Sequence, residues 1–367
     1  MEKKISIFSP HIKDDVIEAV NETLKSRWIN VGKRVFDFEA NFEKRFNVEH
    51  AIALNSCTAA LRLAYAIAGV KPGSEVITTP FTMIATNTAI LEQFGKPVFA
   101  DVQYETGNIN PLDIEHRITE KTKAIVCTHN LGYPCDLDEL RRIANKHNLI
   151  LVEDSAHALG AKYQNDYIGV NSDFSCFSFA AAKHITTGDG GMLTTYNKKF
   201  HEEALRRSFF GMDRTKRDSR GIYPFDINEA GFKMRMNDIM ASMGNAQLKY
   251  IGEIITERKK KAMKYDELLK DVSGVTLMKY KTDRESAYYL YPIHVERRDD
   301  FVKMMNNNGI EVYAQNERND KHSIMGGLRN DLPNTEKIDK DFICLPIHQD
   351  ISLEDIDYIC NVMRKGW

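Results

Sequence analysis

The sequence lacks the features that mark several large classes of protein. Its 50 basic and 52 acidic residues leave a formal net charge of -2, so nothing suggests a nucleic-acid footprint. The amino terminus has no extended apolar segment, and no apolar run approaches the length of a membrane span. We therefore expect no nucleic-acid partner and no membrane association, and a cytoplasmic protein is the default expectation.

Motifs for disulfides, metals and nucleotides are also missing. The six cysteines contain no C-x-x-C pair and no regular spacing, and several lie in apolar runs, which suits reduced core thiols. Metal-binding histidine spacing is absent. No G-x-x-x-x-G-K-[ST] occurs, and residues 188–193 fail G-x-G-x-x-G at the last position. A nicotinamide-dependent dehydrogenase is therefore poorly supported.

What is present is an ordinary globular composition with a clear alternation of elements. The chain has 367 residues, which is long enough for two domains. Apolar strands alternate with helical segments up to residue 195, and this pattern predicts an α/β fold with a mostly parallel sheet covered by helices. Segment 237–269 reads as one long helix or two joined helices, and short strands follow at 288–293 and 310–313. We predict a large domain at 1–249 and a smaller α/β domain at 250–367.

One lysine stands out from its surroundings. Lys183 lies in an otherwise small and apolar run that leads to a glycine turn at 188–191. Such surroundings remove hydration from an ammonium group, so the amine is easier to deprotonate. A neutral lysine amine can bond to an aldehyde, and the aldehyde most often used is pyridoxal phosphate (PLP). Taken alone, the stretch is better interpreted as ordinary structure, a strand that ends in a surface lysine before a hairpin.

Two further stretches carry groups that PLP chemistry needs. Asp154 ends an apolar strand, where an acid in a parallel sheet faces the ligand crevice, and it could pair with the pyridine nitrogen. His157 could hydrogen-bond the hydroxyl of the same ring. Residues 56–58 lie between a strand and a helix, where free N–H groups and the helix dipole favour a phosphate. Each stretch also fits a plain role as a helix cap or a satisfied core histidine.

Together these residues make the chain resemble the DegT/DnrJ/EryC1/StrS family of PLP-dependent sugar aminotransferases of fold type I. The resemblance runs from about residue 8 to the carboxyl terminus. Several separate motifs occur in the family's order, which makes chance agreement improbable. They are segments 56–61, 73–77, 129–132, 153–158, 177–179 with Lys183, 188–191 and 231–236.

The resemblance implies a role for each position that matches the family. Lys183 corresponds to the lysine that bonds to the cofactor and shuttles a proton to and from the substrate carbon. Asp154 corresponds to the partner of the pyridine nitrogen. His157 stands where many members have glutamine, facing the ring hydroxyl.

The cofactor phosphate has its own set of matching positions. Cys57, Thr58 and Ser178 correspond to the residues that cup this phosphate in the family. Lys233 occupies a position that reaches across a dimer interface to the partner's cofactor phosphate, where a lysine serves as a point charge. The resemblance therefore implies a homodimer in which both chains contribute to each active site.

The chain departs from the family pattern in two places. The family often stacks an aromatic residue on the cofactor ring after the threonine at position 82, and here that slot holds Met83, whose polarizable sulfur can cover a ring face. Where many members carry a His-Tyr…Pro-x-His segment, this chain has residues 313–322. A solvated loop and a diphosphate site are equally good interpretations of that segment. The candidate substrate residues are Arg318, Lys321 and His322, together with Asn30 in the loop at 27–32.

Some relatives have histidine in place of the lysine and dehydrate sugars, so the presence of Lys183 implies transamination. We predict transfer of an amino group from glutamate to a nucleotide-linked keto-sugar, in the first instance a 4-keto-6-deoxy hexose. The product would be an amino-sugar for glycan or polysaccharide synthesis. The alternatives are a PLP-dependent sugar dehydratase or deoxygenase on the same scaffold, or a non-catalytic regulatory homologue. Neither the sugar, the nucleotide nor the choice between C3 and C4 follows from the sequence.

Overall fold

The computed structural model describes residues 4–213, 226–314 and 317–367. Its helices are α1 (Asp14–Lys25), α2 (Lys33–Phe46), α3 (Cys57–Ile67), α4 (Ile84–Leu91), α5 (Leu137–His147), α6 (Lys198–Arg207), α7 (Asp238–Leu248), α8 (Ile251–Leu269), α9 (Arg298–Asn307), α10 (Pro333–Asp341) and α11 (Leu353–Arg364). Its strands are β1 (His50–Leu54), β2 (Glu75–Thr78), β3 (Lys96–Phe99), β4 (Thr122–Thr128), β5 (Ile150–Asp154), β6 (Lys162–Tyr163), β7 (Asp166–Tyr167), β8 (Phe174–Ser178), β9 (Gly191–Thr195), β10 (Val275–Leu277), β11 (Arg284–Glu285), β12 (Tyr291–Val295) and β13 (Phe342–Leu345).

A seven-stranded sheet in the order β1-β9-β8-β5-β4-β2-β3 organises the first part of the chain. The pairs from β8 to β3 are parallel, while β9 runs antiparallel to both of its neighbours, β1 and β8. Five of the seven strands therefore lie side by side in parallel, as the alternation of apolar strands and helices predicts. The predicted α/β fold with a mostly parallel sheet is confirmed.

Both faces of this sheet are buried, because alternate residues of each strand enter different cores. On β4, Ile125 belongs to the core beneath α5, whereas its neighbour Val126 belongs to the core beneath α3. A third core lies under α2, where Phe38 and Phe42 pack against Phe179 at ring-centroid distances of 5.3 and 6.2 Å. Burial on both faces explains why these strands read as continuous apolar runs rather than alternating ones.

The segment predicted as one long helix or two joined helices is two helices, since α7 ends at Leu248 and α8 begins at Ile251. Beyond this break, α8, α9 and α11 enclose a separate core with the three-stranded sheet β10-β12-β13, and Ile5 joins the same core. The division into domains 1–249 and 250–367 stays a prediction. The strand expected at 310–313 forms only isolated bridges, from Ile310 to Ile5 and from Tyr313 to Cys344.

All six cysteines are buried and none forms a disulfide. Across the described ranges, no helix combines the length and apolar character needed to cross a membrane.

Candidate active site

The candidate active site lies at the carboxyl ends of the parallel strands. Asp154 is the last residue of β5, His157 follows it in the next loop, and Lys183 lies in the turn after β8. Since β5 and β8 are neighbours and run in the same direction, their carboxyl ends open on the same edge of the sheet. Ligands of open α/β sheets bind at this edge.

Asp154 is almost completely buried, with 4% of its surface exposed. Each carboxylate oxygen already accepts one hydrogen bond, Oδ2 from Thr86 Oγ1 at 2.6 Å and Oδ1 from the Ala156 amide at 3.1 Å. Burial raises the pKa of the Asp154 carboxyl above its ordinary value, and these two donors and the charge of Lys183 oppose the rise. A protonated ring nitrogen placed against the remaining lone pairs would stabilise the ionised form further.

A chain of hydroxyl groups supports Asp154 from behind. Thr86 Oγ1 lies 3.1 Å from Thr82 Oγ1, which in turn lies 3.0 Å from Thr128 Oγ1 at the end of β4. All three threonines are buried. Met83 follows Thr82 directly and is 49% exposed, so the residue predicted to cover the cofactor ring extends from a fixed backbone into open space. Whether it covers a ring stays a prediction.

Lys183 is half-buried, and its Nζ lies 4.3 Å from the centroid of the Tyr289 ring. Burial lowers the pKa of this amine to about 8, while Cys57 and Asp154 act in the opposite direction. With that pKa, about a tenth of the amine is neutral at pH 7, compared with far less for an ordinary lysine. The amine can therefore act both as a nucleophile and as a proton carrier near neutral pH.

His157 stacks on the ring of Tyr289, the same ring that Lys183 contacts. The two rings are parallel within 9° and their centroids are 4.1 Å apart. Burial lowers the pKa of His157 well below 6.5, so the imidazole is neutral. Its Nδ1 is buried and has no hydrogen-bond partner among the described residues. A buried, unpartnered polar atom is costly, and the hydroxyl of a bound ring would satisfy it.

The residues predicted to cup the phosphate lie where β1 leads into α3 and at the end of β8. Ser56 caps this helix, its Oγ accepting from the Ala59 amide at 3.0 Å, which leaves the neighbouring N–H groups at the helix start for a ligand. Gly191 lies against this turn so closely that a Cβ on it would stand 2.5 Å from the Cys57 nitrogen. Ser178 pairs with Gly191 across β8 and β9. The structure thus brings Cys57, Thr58 and Ser178 to one place.

Comparison with known proteins agrees with this geometry. The family model described as the DegT/DnrJ/EryC1/StrS aminotransferase family matches residues 10–364. The chain belongs to this family. The predicted family and fold are therefore confirmed. The prediction of a sugar aminotransferase is confirmed as well, because the family and its similar solved structures are enzymes of this kind.

Three relatives show that the similarity extends over nearly the whole chain. The structure of AtS13 from Actinomadura melliaura is 33% identical, covers 99% of both chains and has a TM-score of 0.95. PseC of Helicobacter pylori, an aminotransferase involved in the biosynthesis of pseudoaminic acid, is 30% identical over 99% of both chains with a TM-score of 0.92. The Bacillus subtilis spore coat polysaccharide biosynthesis protein SpsC is 33% identical over 376 residues, covering 97% of this chain and 95% of SpsC.

Lys233, the residue predicted to reach the partner's cofactor phosphate, lies at the surface of its own chain. Its side chain is exposed, its backbone bridges to Phe209, and its Nζ stands 5.9 Å from the Phe210 ring. Within the described ranges it forms no ion pair with an acidic residue. Its exposure leaves the side chain open to groups from outside its own chain, and a contact with a partner's phosphate stays a prediction.

The candidate substrate residues of segment 313–322 are not equally available. Arg318 is 2% exposed, and its Nε and Nη2 donate to the two carboxylate oxygens of Asp320 at 2.7 and 2.6 Å. Nη2 also donates to the Arg329 carbonyl at 3.0 Å. With these donors engaged and buried, Arg318 is not free to bind a diphosphate. Its role in this structure is to hold the loop together.

The other three candidates are at the surface. Lys321 forms ion pairs with Asp339 at 2.9 Å and Glu317 at 3.2 Å, and His322 is exposed. Asn30 is also exposed, and its Oδ1 accepts from the Val31 amide at 2.8 Å. Contacts of these residues with substrate stay predictions.

Sequence reasoning missed two residues of the site, Tyr289 and Thr86. Tyr289 lies in an apolar run that reads as a strand, and nothing in that run distinguishes it from Tyr288 or Tyr291. Thr86 does carry a signal, because it lies in the first turn of α4 and four residues after Thr82, which precedes that helix.

Proposed function

We propose that this chain binds PLP and transfers an amino group from glutamate to a nucleotide-linked keto-sugar. The observation that carries the proposal is the meeting of three groups at one edge of the sheet. They are the Lys183 amine, whose pKa burial lowers to about 8, the hydrogen-bonded Asp154 carboxyl group, and the Nδ1 of His157, which has no partner in the described part of the chain. Membership of an aminotransferase family supports the same chemistry.

The residues present fit the cofactor at each of its polar ends. Asp154 would hold the pyridine nitrogen, His157 the ring hydroxyl, and Lys183 the aldehyde carbon, while the α3 turn with Thr58 and Ser178 would hold the phosphate. When bound, PLP supplies an electron-accepting ring that stabilises negative charge on the carbon next to the transferred nitrogen.

The chain's own groups would then move and hold protons. Lys183 Nζ would accept a proton from the α-carbon of glutamate and, in the second half of the reaction, donate one to the keto-sugar's ring carbon where the new amine forms. Burial raises the pKa of Asp154, and Thr86, the Ala156 amide and a protonated pyridine nitrogen would together favour its ionised form against that rise. The exchange of roles requires an amine whose pKa lies close to the working pH, as that of Lys183 does.

A homodimer with shared sites is part of the proposal. Lys233 is exposed and carries no counter-charge in the described part of the chain, and large apolar side chains near the amino terminus are exposed as well, Trp28 at 60% and Phe36 at 53%. Both observations suit a face covered by a second copy. The partner chain would supply Lys233 to the phosphate cup.

Subunit mixing tests this arrangement directly. The Lys183→Ala protein should be almost inactive and the Lys233→Ala protein weakly active, and mixing them should restore activity. In a mixed dimer, one site combines an intact Lys183 from one chain with an intact Lys233 from the other. Failure to restore activity in verified mixed dimers would place Lys233 in its own chain's site or outside both.

The function itself is tested with a panel of nucleotide-linked keto-sugars and glutamate, with products identified by mass. We expect an amino-sugar and 2-oxoglutarate in equal amounts from at least one 4-keto-6-deoxy hexose. A deoxygenated sugar that forms without net glutamate consumption would instead identify a dehydratase. A purified protein that develops no visible absorbance with PLP would identify a non-catalytic homologue.

A further inference from the structure

Tyr289 contacts both Lys183 and His157, two residues that the sequence identifies separately. Its ring lies 4.3 Å from Lys183 Nζ and stacks on the imidazole of His157 at 4.1 Å. Both contacts are made by the ring rather than by the hydroxyl. A cation held over an aromatic face is attracted by the ring's electron density, and the attraction is strongest where water is excluded.

The backbone around Tyr289 is fixed from the side of the central sheet. The Tyr289 amide donates to the Leu131 carbonyl at 2.9 Å, and the Ala287 amide donates to the Gly132 carbonyl at 2.9 Å. His184, the residue next to Lys183, contacts the Ala287 carbonyl through Nε2 at 2.9 Å. The Lys183 turn and the Tyr289 segment are therefore tied to each other.

A buried arginine fixes the same backbone from the side of α8. Arg258 is 2% exposed, and its Nη1 donates to the carbonyls of Tyr288 at 3.0 Å and Tyr289 at 2.7 Å. Its remaining partner is the neutral side chain of Gln349, at 3.2 Å from Nη2, and it forms no ion pair with a described acidic residue. The Nη1 group of this buried guanidinium holds the two carbonyls firmly, because losing one would leave a further buried donor poorly paired, beside an Nε that has no partner among the described residues.

We propose that Tyr289 is a positioning residue whose ring receives the amine of Lys183 while that amine is free of the cofactor, and keeps His157 in one orientation. The proposal rests on the proposed function, since a lysine that leaves and rejoins a cofactor needs a defined place in between. Four other groups face the amine: Asp154 and Cys57 favour its charged form, whereas His157 and His184 are neutral through burial. Tyr289 adds an aromatic face to that set.

Competitive labelling with acetic anhydride tests the contact in the full-length, cofactor-free protein. Only a neutral amine reacts, so the labelling rate of Lys183 against pH, read by peptide mass spectrometry, gives its pKa. Tyr289→Phe keeps the ring and should leave that pKa near 8. Tyr289→Leu and Tyr289→Met remove the ring and should lower it by about one pH unit.

Tyr291→Leu is the matched control. Tyr291 is also buried, stacks on Tyr265 at 4.6 Å, and lies only two residues further along the chain. Its loss should cost stability without moving the Lys183 pKa. If Tyr289→Leu and Tyr289→Met leave the pKa unchanged or raise it, the ring only excludes water, and the proposal is wrong. A shift of the same size in Tyr289→Phe or Tyr291→Leu would overturn it too.

A second measurement isolates the contact with His157. Pyridoxamine phosphate does not bond to Lys183, so its affinity reports on the imidazole and not on the amine. Because Tyr289 acts on this ligand through His157, we expect Tyr289→Leu added to His157→Ala to cause little further loss of affinity. If the losses of affinity in the two single variants simply add in the double variant, Tyr289 acts on the ligand independently of His157, which contradicts the proposal. If the wild-type protein binds no pyridoxamine phosphate, the proposed function fails, whereas the labelling result still decides the position of the lysine.

Discussion

Two basic regions are candidates for ligand binding, the single Lys183 and the segment with Arg318 and Lys321. They differ in the number of carboxylates that already pair with the basic groups. Arg318 and Lys321 lie within 3.2 Å of acidic side chains, and Arg318 is buried together with its partner Asp320. Lys183 has no carboxylate at ion-pair distance among the described residues, and its contact is an aromatic ring. A cation whose partners are already present stabilises a loop, whereas one left without them is prepared for a ligand.

Replacing Lys183 by alanine should have the largest effect on activity. The variant loses both the nucleophile and the proton carrier, so turnover should fall by about 10⁴-fold or more. Pyridoxamine phosphate should still bind, because Asp154, His157 and the phosphate cup remain. Enzyme assays and equilibrium dialysis measure the two quantities, with Lys199→Ala, a lysine on the surface of α6, as control. Near-normal turnover would contradict the assignment of Lys183.

Asp154→Asn should have the next largest effect. The amide keeps the shape of the carboxylate but cannot hold a proton on the ring nitrogen, so turnover should fall by about 10²–10³-fold while PLP still binds. Visible absorbance titration gives the affinity and product formation gives the rate. Asp166→Asn, at an exposed position of β7, controls for the substitution itself. Full activity in Asp154→Asn would show that the ring nitrogen has another partner.

Arg318→Ala sharpens the comparison from the other side. Removing one member of a buried ion pair leaves Asp320 unpaired, so the free energy of unfolding should fall by about 3–5 kcal/mol. Arg142→Ala breaks an exposed pair with Glu139 at 3.0 Å and should cost less than about 1 kcal/mol. Urea unfolding measures both. If the Arg318→Ala enzyme is stable and only its KM for the sugar nucleotide is raised, the result would support the predicted contact between Arg318 and a diphosphate.

The smallest expected effect is a pH-dependent change in stability. The folded-state pKa of Lys183, about 8, lies below the value of 10.5 for an unburied lysine, so between these values the unfolded chain binds more protons and stability rises with pH. Lys183→Met removes the desolvated ammonium. Without cofactor, this variant should melt higher by roughly 1–3 °C at pH 7, and the difference should vanish toward pH 10.5. A constant difference across that range would reflect packing rather than charge.

The sequence predicted those parts of the molecule that depend on local pattern. Continuous apolar strands alternating with helices are enough to predict the sheet, and the separate motifs around Ser56, Asp154 and Lys183 are enough to recognise the family, whose pattern implies the proposed cofactor residues. These features repeat at short range along the chain, where periodicity and strand ends can be read directly.

What the sequence could not predict depends on contacts between distant segments. The ring of Tyr289 lies more than a hundred residues from Lys183, and only the folded chain shows that its face meets the amine. Arg318 looks available to a ligand in the sequence, because it lies in a segment that reads as a polar loop. Its partner, Asp320, is only two residues away in the same segment. Charge and spacing suggest that such a pair forms, but burial decides that it is closed to ligands.

The central claim is that Lys183 bonds to the cofactor. Borohydride reduction of the PLP-loaded enzyme followed by peptide mapping tests it directly, because reduction makes that bond permanent. We predict one labelled lysine per chain, Lys183, and loss of the visible absorbance on reduction. A label on another lysine such as Lys233, or no label on any peptide, would contradict the account.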